Sequence, residues 1–272
     1  MIIDFHTHSF SPKVAERAVS AIQTESGRTP YTRGLVEQLE TRMDEWGVDM
    51  ACVLPIATKP SQQTVINDWA AGLPETHPRL IPFGTVHPEA DDLTEELERI
   101  KELGLYGIKL HPDYQHFMVD EPSLDEMYEL IADTGLPLVL HAGWDCYSPD
   151  LVHCPPERSL KLIKRHPRLK LVLAHLGGND RWEQVRDLLA GLDGELYFDT
   201  SFTEKCPDEL MTEIIRKHGA ERILFGSDCP WESAARMAEK LLRLGVSDDE
   251  RDKIFGLNAA RLLGIGTEEQ TN

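Results

Sequence analysis

Cysteine is sparse in this chain and nowhere arranged as Cys-x-x-Cys, which argues against both a disulfide framework and a zinc knuckle. The five that occur, Cys52, Cys146, Cys154, Cys206 and Cys229, read as reduced thiols, and none has an adjacent base to activate it. Long apolar runs are also missing, since none approaches the roughly 18 residues that a membrane span needs. The first residues lack the basic stretch followed by an apolar one that marks a secretory signal. These absences predict a cytoplasmic protein with no membrane partner. Positive charge is scarce as well: 28 Lys and Arg against 47 Asp and Glu leave a net charge of −19. A nucleic-acid partner requires a basic face, so that class is excluded, and most of the acids are read as a solvated surface. No Gly-x-Gly-x-x-Gly follows the first strand, which leaves a dinucleotide-binding fold without support. No Pro/Ser-rich linker divides the 272 residues, so one large domain is expected over 1–264, with a polar tail at 265–272.

What the chain does have is a repeat of short apolar runs, each followed by a helical pattern. The first run, Met1–His8, is followed by Val48–Pro55, Leu80–His87, Tyr106–Pro112, Leu136–Ala142, Leu169–His175, Leu196–Ser201 and Ile223–Asp228. Between them, apolar residues at helical spacing predict helices over Lys13–Ile22, Leu35–Trp46, Gln63–Leu73, Leu93–Leu103, Leu124–Thr134, Glu157–Arg165, Trp182–Ala190 and Pro207–His218. Glu232–Leu244 and Asp248–Leu263 close the series, and Gln23–Gly34 and Gly143–Pro156 read as loops. Strict strand–helix alternation implies a parallel sheet with right-handed crossovers. Eight repeats in about 260 residues fit a closed (β/α)8 TIM barrel of the α/β class better than an open sheet.

The polar residues collect at the C-terminal strand ends, where such barrels place their chemistry. His6 and His8 lie two apart on a strand and so share a face, with Cα atoms roughly 6.6 Å apart, close enough to converge on one ion. Lys109 and His111 share a face of the fourth run in the same way. His141 ends the fifth run, His175 the sixth and Asp228 the eighth. Leaving a buried polar group unpaired costs about 1–3 kcal/mol, so this gathering calls for a ligand that satisfies it.

The motifs carry a family resemblance. Asp-Phe-His-Thr-His at the first strand, Gly-Ile-Lys-Leu-His-Pro at the fourth and Leu-His-Ala-Gly at the fifth are three of them. Ala-His-Leu-Gly-Gly at the sixth, Phe-Gly-Ser-Asp-Cys-Pro-Trp at the eighth and Asn258–Gly264 complete the set. Together they resemble the amidohydrolase superfamily of metal-dependent barrels, in its amidohydrolase-related branch, which includes non-oxidative decarboxylases. The resemblance implies a single-metal site on His6, His8, His141 and Asp228, with His175 beside it. Imidazole and carboxylate donors suit zinc, with manganese or iron admissible. It also implies a second scheme, in which a carboxylated Lys109 bridges two ions and His141 and His175 serve the second. The one-ion scheme is preferred here, with Lys109 as a cation for a substrate carboxylate.

On this reading Asp228 moves a proton between a metal-activated water and the leaving group, and His175 polarises the substrate or acts as general acid. The expected activity is hydrolysis of an amide, ester or lactone-type bond in a small molecule. The nearest alternative is non-oxidative decarboxylation of an aromatic or enoic acid on the same site; the absence of an evident arginine motif for the departing carboxylate ranks it second. A barrel without catalysis is the remaining alternative, although no ligand of the set is missing. His111, Trp144 and Arg181 are further candidates for substrate contact, and a homodimer is an assembly the resemblance allows. Asp4 and Asp199 are candidates to support the ligands from behind. Arg28 and Arg33, like Arg181, are possible carboxylate clamps but read more readily as surface charges. His87 reads as a packed rim residue or pocket lining, and His77, His166 and His218 as structural. His116 and His153 lie in loops near the mouth without an assigned role. Trp182 and Trp231 read as seals between helix and barrel.

Overall fold

The computed structural model describes residues 1–266. Of the expected tail, residues 267–272 lie outside the described residues. Eight parallel strands, β1 (Ile3–Thr7), β2 (Met50–Val53), β3 (Leu80–Pro82), β4 (Ile108–Leu110), β5 (Leu138–Leu140), β6 (Leu171–Leu173), β7 (Leu196–Asp199) and β8 (Ile223–Leu224), alternate with helices. They pair in the orders β1-β2-β3 and β4-β5-β6-β7-β8. Two seams join these into a closed cylinder. Lys109 N–H donates to Gly84 O at 2.8 Å between β3 and β4, and Phe5 N–H donates to Phe225 O at 2.7 Å between β8 and β1. The expected (β/α)8 barrel is the observed architecture. Among the described residues no helix is long and apolar enough to cross a membrane.

Two apolar layers hold the barrel, as the alternation of side chains along each strand requires. Phe5, Cys52, Phe83, Val139, Val172 and Leu224 pack inside. Ile108, Leu138, Leu171, Phe198 and Ile223 face the helices. The ordered ladders are shorter than the apolar runs because the strand ends spread at the mouth, where side chains take over the backbone's hydrogen bonds. Asn67 donates to Thr85 O at 2.9 Å and accepts from Thr85 N–H at 2.9 Å. Gln115 donates to Ala57 O at 2.9 Å and Val86 O at 2.8 Å, and accepts from His111 N–H at 2.9 Å. The first helix runs from Ala15 to Ser26, later than expected, and ends at Gly27 with φ 66°. The closing helix is split by a π turn at Lys253–Leu257, where Ile254 O accepts from Phe225 N–H at 2.9 Å.

His218 is structural, as its sequence context suggested. It is buried, stacks on Phe198 at 4.0 Å and places Nε2 3.0 Å from Leu196 O. Burial lowers its pKa from 6.5 to about 3. The unfolded chain therefore binds a proton below pH 6.5 that the folded chain refuses, and this contribution to stability is lost as pH falls from 6.5 toward 3. His218→Gln is expected to flatten the decline of stability between pH 6.5 and 5 by up to about 1.4 kcal/mol per pH unit. Urea titrations of both proteins at a series of pH values check this, and equal slopes would refute it.

Candidate metal centre

The end of β1 carries the centre. A register shift between Asp4 and Thr7 breaks its alternation, so Phe5 joins the inner apolar layer while His6 and His8 still converge. Each imidazole is held from behind at Nδ1: His6 by Asp199 Oδ2 at 2.8 Å, His8 by Leu54 O at 2.8 Å. Both partners are acceptors, so each ring keeps its proton on Nδ1 and presents a bare Nε2. The two Nε2 atoms stand 3.2 Å apart, with Asp228 Oδ1 at 3.4 Å from His6 and 3.2 Å from His8. Two lone pairs and a carboxylate oxygen so close together repel one another unless a cation lies between them. Neighbouring ligands of an ion with bonds of about 2.1 Å sit roughly 3.0–3.4 Å apart, so this donor set fits a divalent metal.

The electrostatics agree. Burial, reinforced by the positive charge of Lys109, lowers the His6 pKa to about 4, which keeps the ring neutral. Burial works against the charged form of Asp228, but the facing imidazoles of His8 and His6 outweigh it and hold the carboxyl below its usual range. Asp228 has φ 72°, His175 φ 59° and Leu176 φ 56°, a left-handed geometry that costs non-glycine residues energy and concentrates at functional sites.

Asp199 ties the centre together. One oxygen faces His6; the other accepts from His175 N–H at 3.0 Å, Ser201 N–H at 3.0 Å and Ser201 Oγ at 2.5 Å. Burial opposes its charge, but these donors and the neighbouring histidines hold its pKa far below the ordinary value. Asp4 supports the centre through backbone instead, accepting from Ser227 N–H at 2.9 Å, Ser227 Oγ at 2.5 Å and His6 N–H at 3.2 Å. Ser201, silent in the sequence, also meets the Nδ1 atoms of His6 (3.1 Å) and His175 (2.9 Å).

The remaining candidates distribute unevenly. Lys109 is buried with Nζ 3.4 Å from His6 Nε2, and burial lowers its pKa to about 8. His175 Nε2 meets His141 Nδ1 at 2.9 Å. His141 falls outside the compact group of His6, His8 and Asp228; its ligating atom groups instead with His111 and Asp145. Its Nε2 lies 3.7 Å from Asp145 Oδ2, in the loop after β5. His111 stacks between His141 (4.1 Å) and Tyr114 (3.8 Å). Trp144 donates Nε1–H to Pro149 O at 3.2 Å, inside its own loop. Arg181 is engaged with Asp180 through its carbonyl at 2.8 Å and its carboxylate at 3.7 Å. Trp182 Nε1–H donates to His175 O at 3.1 Å and seals its helix to the barrel. His87 is a packed rim residue whose Nδ1 accepts from Glu89 N–H at 3.2 Å. Asp113 and Asp145 went unremarked in the sequence, although Asp113 lies two residues after His111 and Asp145 four after His141. The cysteines are free, and burial raises Cys146 to about 11 and Cys154 to about 12, so neither offers a thiolate near neutral pH.

Known proteins align with this arrangement. The gamma-resorcylate decarboxylase of Rhizobium sp. (strain MTP-10005) is 24% identical over 223 residues, covering 65% of this chain and 67% of that protein. The solved 5-carboxyvanillate decarboxylase LigW from Sphingomonas paucimobilis superposes with a TM-score of 0.70 at 22% identity, over 97% of this chain and 99% of that one. A dihydroxybenzoic acid decarboxylase from Polaromonas sp. JS666, solved with bound manganese and the inhibitor 2-nitroresorcinol, superposes with a TM-score of 0.70 at 17% identity, over 97% and 96%. The amidohydrolase family model, Amidohydro_2, matches residues 3–265. With strand-end histidines, barrel and profile in agreement over nearly its whole length, the chain belongs to the amidohydrolase family.

Proposed function

We propose that this protein is a metal-dependent carboxy-lyase that removes carbon dioxide from an aromatic or enoic acid, in preference to the hydrolase that the motifs alone favoured. The observation that carries this reading is the agreement among the relatives: those aligned by sequence and those aligned by structure include decarboxylases of hydroxylated benzoic acids. Their low identity leaves the substrate of this chain to be argued from its own residues. His6, His8 and Asp228, with His141 as the further ligand that the motifs imply, would hold the ion, zinc or manganese being the classes that imidazoles and a carboxylate suit. A divalent ion bound there would supply Lewis acidity toward the substrate's oxygens.

The protein's own groups do the rest. Loss of carbon dioxide leaves an electron pair on the substrate carbon, and a proton must replace the carboxyl group there. Asp228, held as a carboxylate by its histidine neighbours, accepts the proton of a substrate hydroxyl and returns it to that carbon. His175, fixed by Ser201 and Asp199, is the adjacent polar group that orients the substrate. Lys109, with Nζ 3.4 Å from His6 Nε2, is one cation for the substrate carboxylate, and Arg28, 3.8 Å from Glu232, is a second. Its guanidinium lies 4.2 Å over the Phe202 ring, whose edge meets His175 at 5.8 Å. Arg28 also lines a cavity of about 340 Å³ with Tyr31, Trp231 and Glu232. An arginine on an aromatic face beside a cavity is well placed to clamp a carboxylate.

Arg28→Ala is expected to raise KM about 10- to 100-fold with a smaller change in kcat, as loss of a charge-assisted hydrogen bond implies. The reaction itself is tested by incubating the metal-loaded protein with a panel of hydroxybenzoates and measuring carbon dioxide. Amide or lactone hydrolysis without carbon dioxide release would return the hydrolase reading.

A further inference from the structure

The cavity that Arg28 borders also holds a buried acid that the scheme above leaves unused. Glu232 follows β8 and sits between two anchored points. Trp231 N–H donates to Asp228 O at 2.8 Å just before it, and the helix Ala234–Arg243 begins just after it. This places the Glu232 carboxyl at the cavity wall with Arg28, Tyr31 and Trp231. Its side chain is 7% exposed, against 30% for Arg28, a degree of burial that acids seldom reach without a partner. We propose that Glu232 is a specificity-determining residue: it accepts a hydrogen bond from a hydroxyl or amino group that stands beside the substrate carboxylate held by Arg28. The inference rests on the reading that the substrate acid meets Arg28.

The other cations of the cavity are committed. Lys240 Nζ donates to Glu204 O at 3.0 Å and to Cys206 O, Arg243 Nε donates to Asp208 Oδ2 at 2.6 Å, and Arg236 donates to Glu204 Oε1 at 3.3 Å. Arg28 and Glu232 keep capacity to spare. Arg28 Nη1 stands 3.8 Å from Glu232 Oε1, too far for a hydrogen bond. Among the described residues the guanidinium has no hydrogen-bonded acceptor, and the carboxyl has no side-chain donor.

Two polar groups that stand side by side without bonding each other can both bond a third molecule. Arg28 presents donors to an anionic oxygen, and Glu232 presents an acceptor next to it. The ligand edge that matches is an acid whose neighbouring atom carries a hydroxyl or amino hydrogen. Phe202, under Arg28 at 4.2 Å and edge-on to His175 at 5.8 Å, separates this pair from the metal centre. The donor that Glu232 meets is therefore not the hydroxyl that Asp228 deprotonates. Burial, reinforced by the charge of Asp228, raises the Glu232 pKa to about 7 against the pull of Arg28. A carboxyl so incompletely compensated gains more from a donated hydrogen bond than an exposed one. Such an acceptor discriminates, because an analogue without the donor leaves the buried acid unpaired.

The test compares two ligands by calorimetry on the metal-loaded protein. One is a benzoate with a hydroxyl on each side of its carboxylate; in the other, a methyl group replaces one hydroxyl. The two match in size, so their difference isolates the second donor. Wild type is expected to bind the dihydroxy ligand about 10- to 100-fold more tightly. Glu232→Leu is expected to bind both alike, and Glu232→Gln, whose amide oxygen still accepts, to keep part of the preference. Equal affinities in wild type, or a preference that survives in Glu232→Leu, would overturn the proposal. Complete loss in Glu232→Gln also overturns it, since that marks Glu232 as a counter-charge for Arg28 alone. Crystals of wild type with the dihydroxy ligand need no variant: a hydroxyl within hydrogen-bond reach of Glu232 supports the proposal, and none there overturns it. Binding is read without turnover. The preference without carbon dioxide release would remove the decarboxylase reading alone, and carbon dioxide release without the preference would remove this inference alone.

Discussion

With His6 and His8 both replaced by alanine, the protein is expected to lose its metal ion, and with it more than about 100-fold in activity. Replacing a residue that only supports a metal ligand already costs about 10–100-fold in affinity or activity, so loss of two ligands exceeds that range. The barrel should survive, because both side chains lie at the mouth, above the apolar layers that hold the strands together. Asp199→Asn provides the graded companion. It keeps the shape of the side chain but removes the charge facing His6 Nδ1 at 2.8 Å, and it is expected to weaken metal binding by about 10–100-fold. Metal titrations by calorimetry, with circular dichroism as the check on folding, measure both. Unchanged metal content in the double variant would remove the basis for the centre.

The other large effect is expected at Gly143, which makes the close approach that lets the loop after β5 leave the barrel. Its φ is 89°, and an added Cβ would stand 2.0 Å from Asn179 N and 2.4 Å from Asn179 O. Both atoms belong to backbone that is itself tied down, since Trp144 N–H donates to Asn179 O at 2.9 Å and Asn179 N–H donates to Ala142 O at 2.9 Å. A flexible side chain could move aside; this backbone cannot. Gly143→Ala should therefore destabilise the fold by more than about 3 kcal/mol, among the larger effects of single substitutions. Gly135→Ala is the control: φ is 73° there, but nothing lies within 4 Å, so only the left-handed penalty of about 1–2 kcal/mol applies. Urea unfolding of the two variants compares them directly. Equal losses would mean that the contact with Asn179 relaxes at little cost.

The alternation of apolar runs and helical patterns made the barrel legible, because strand and helix periods are local properties of a sequence. The ligand types were legible for the same reason: His6 and His8 follow one strand at a spacing of two, and Asp228 ends another apolar run. Asp199 was recognisable only as a supporting candidate, since its contact with His6 spans 193 residues of chain. Arg28 reads from the sequence as a surface charge sooner than as a carboxylate clamp, because its aromatic partner, Phe202, is remote in sequence. His141 is a ligand candidate on the pattern of its motif, but the partners of its two nitrogens, His175 at Nδ1 and the carboxylates of Asp113 and Asp145 near Nε2, are set by side-chain rotation that no spacing encodes.

By itself, then, the sequence determined the barrel, its orientation and the kinds of donor at its rim, all of which follow from residues close together along the chain. Only the tertiary structure decided which nitrogen each imidazole presents, which carboxylate backs it, and which histidines stand together. Those choices are made by hydrogen bonds between segments up to 223 residues apart, such as Asp4 with Ser227, and they exist only once the cylinder has closed.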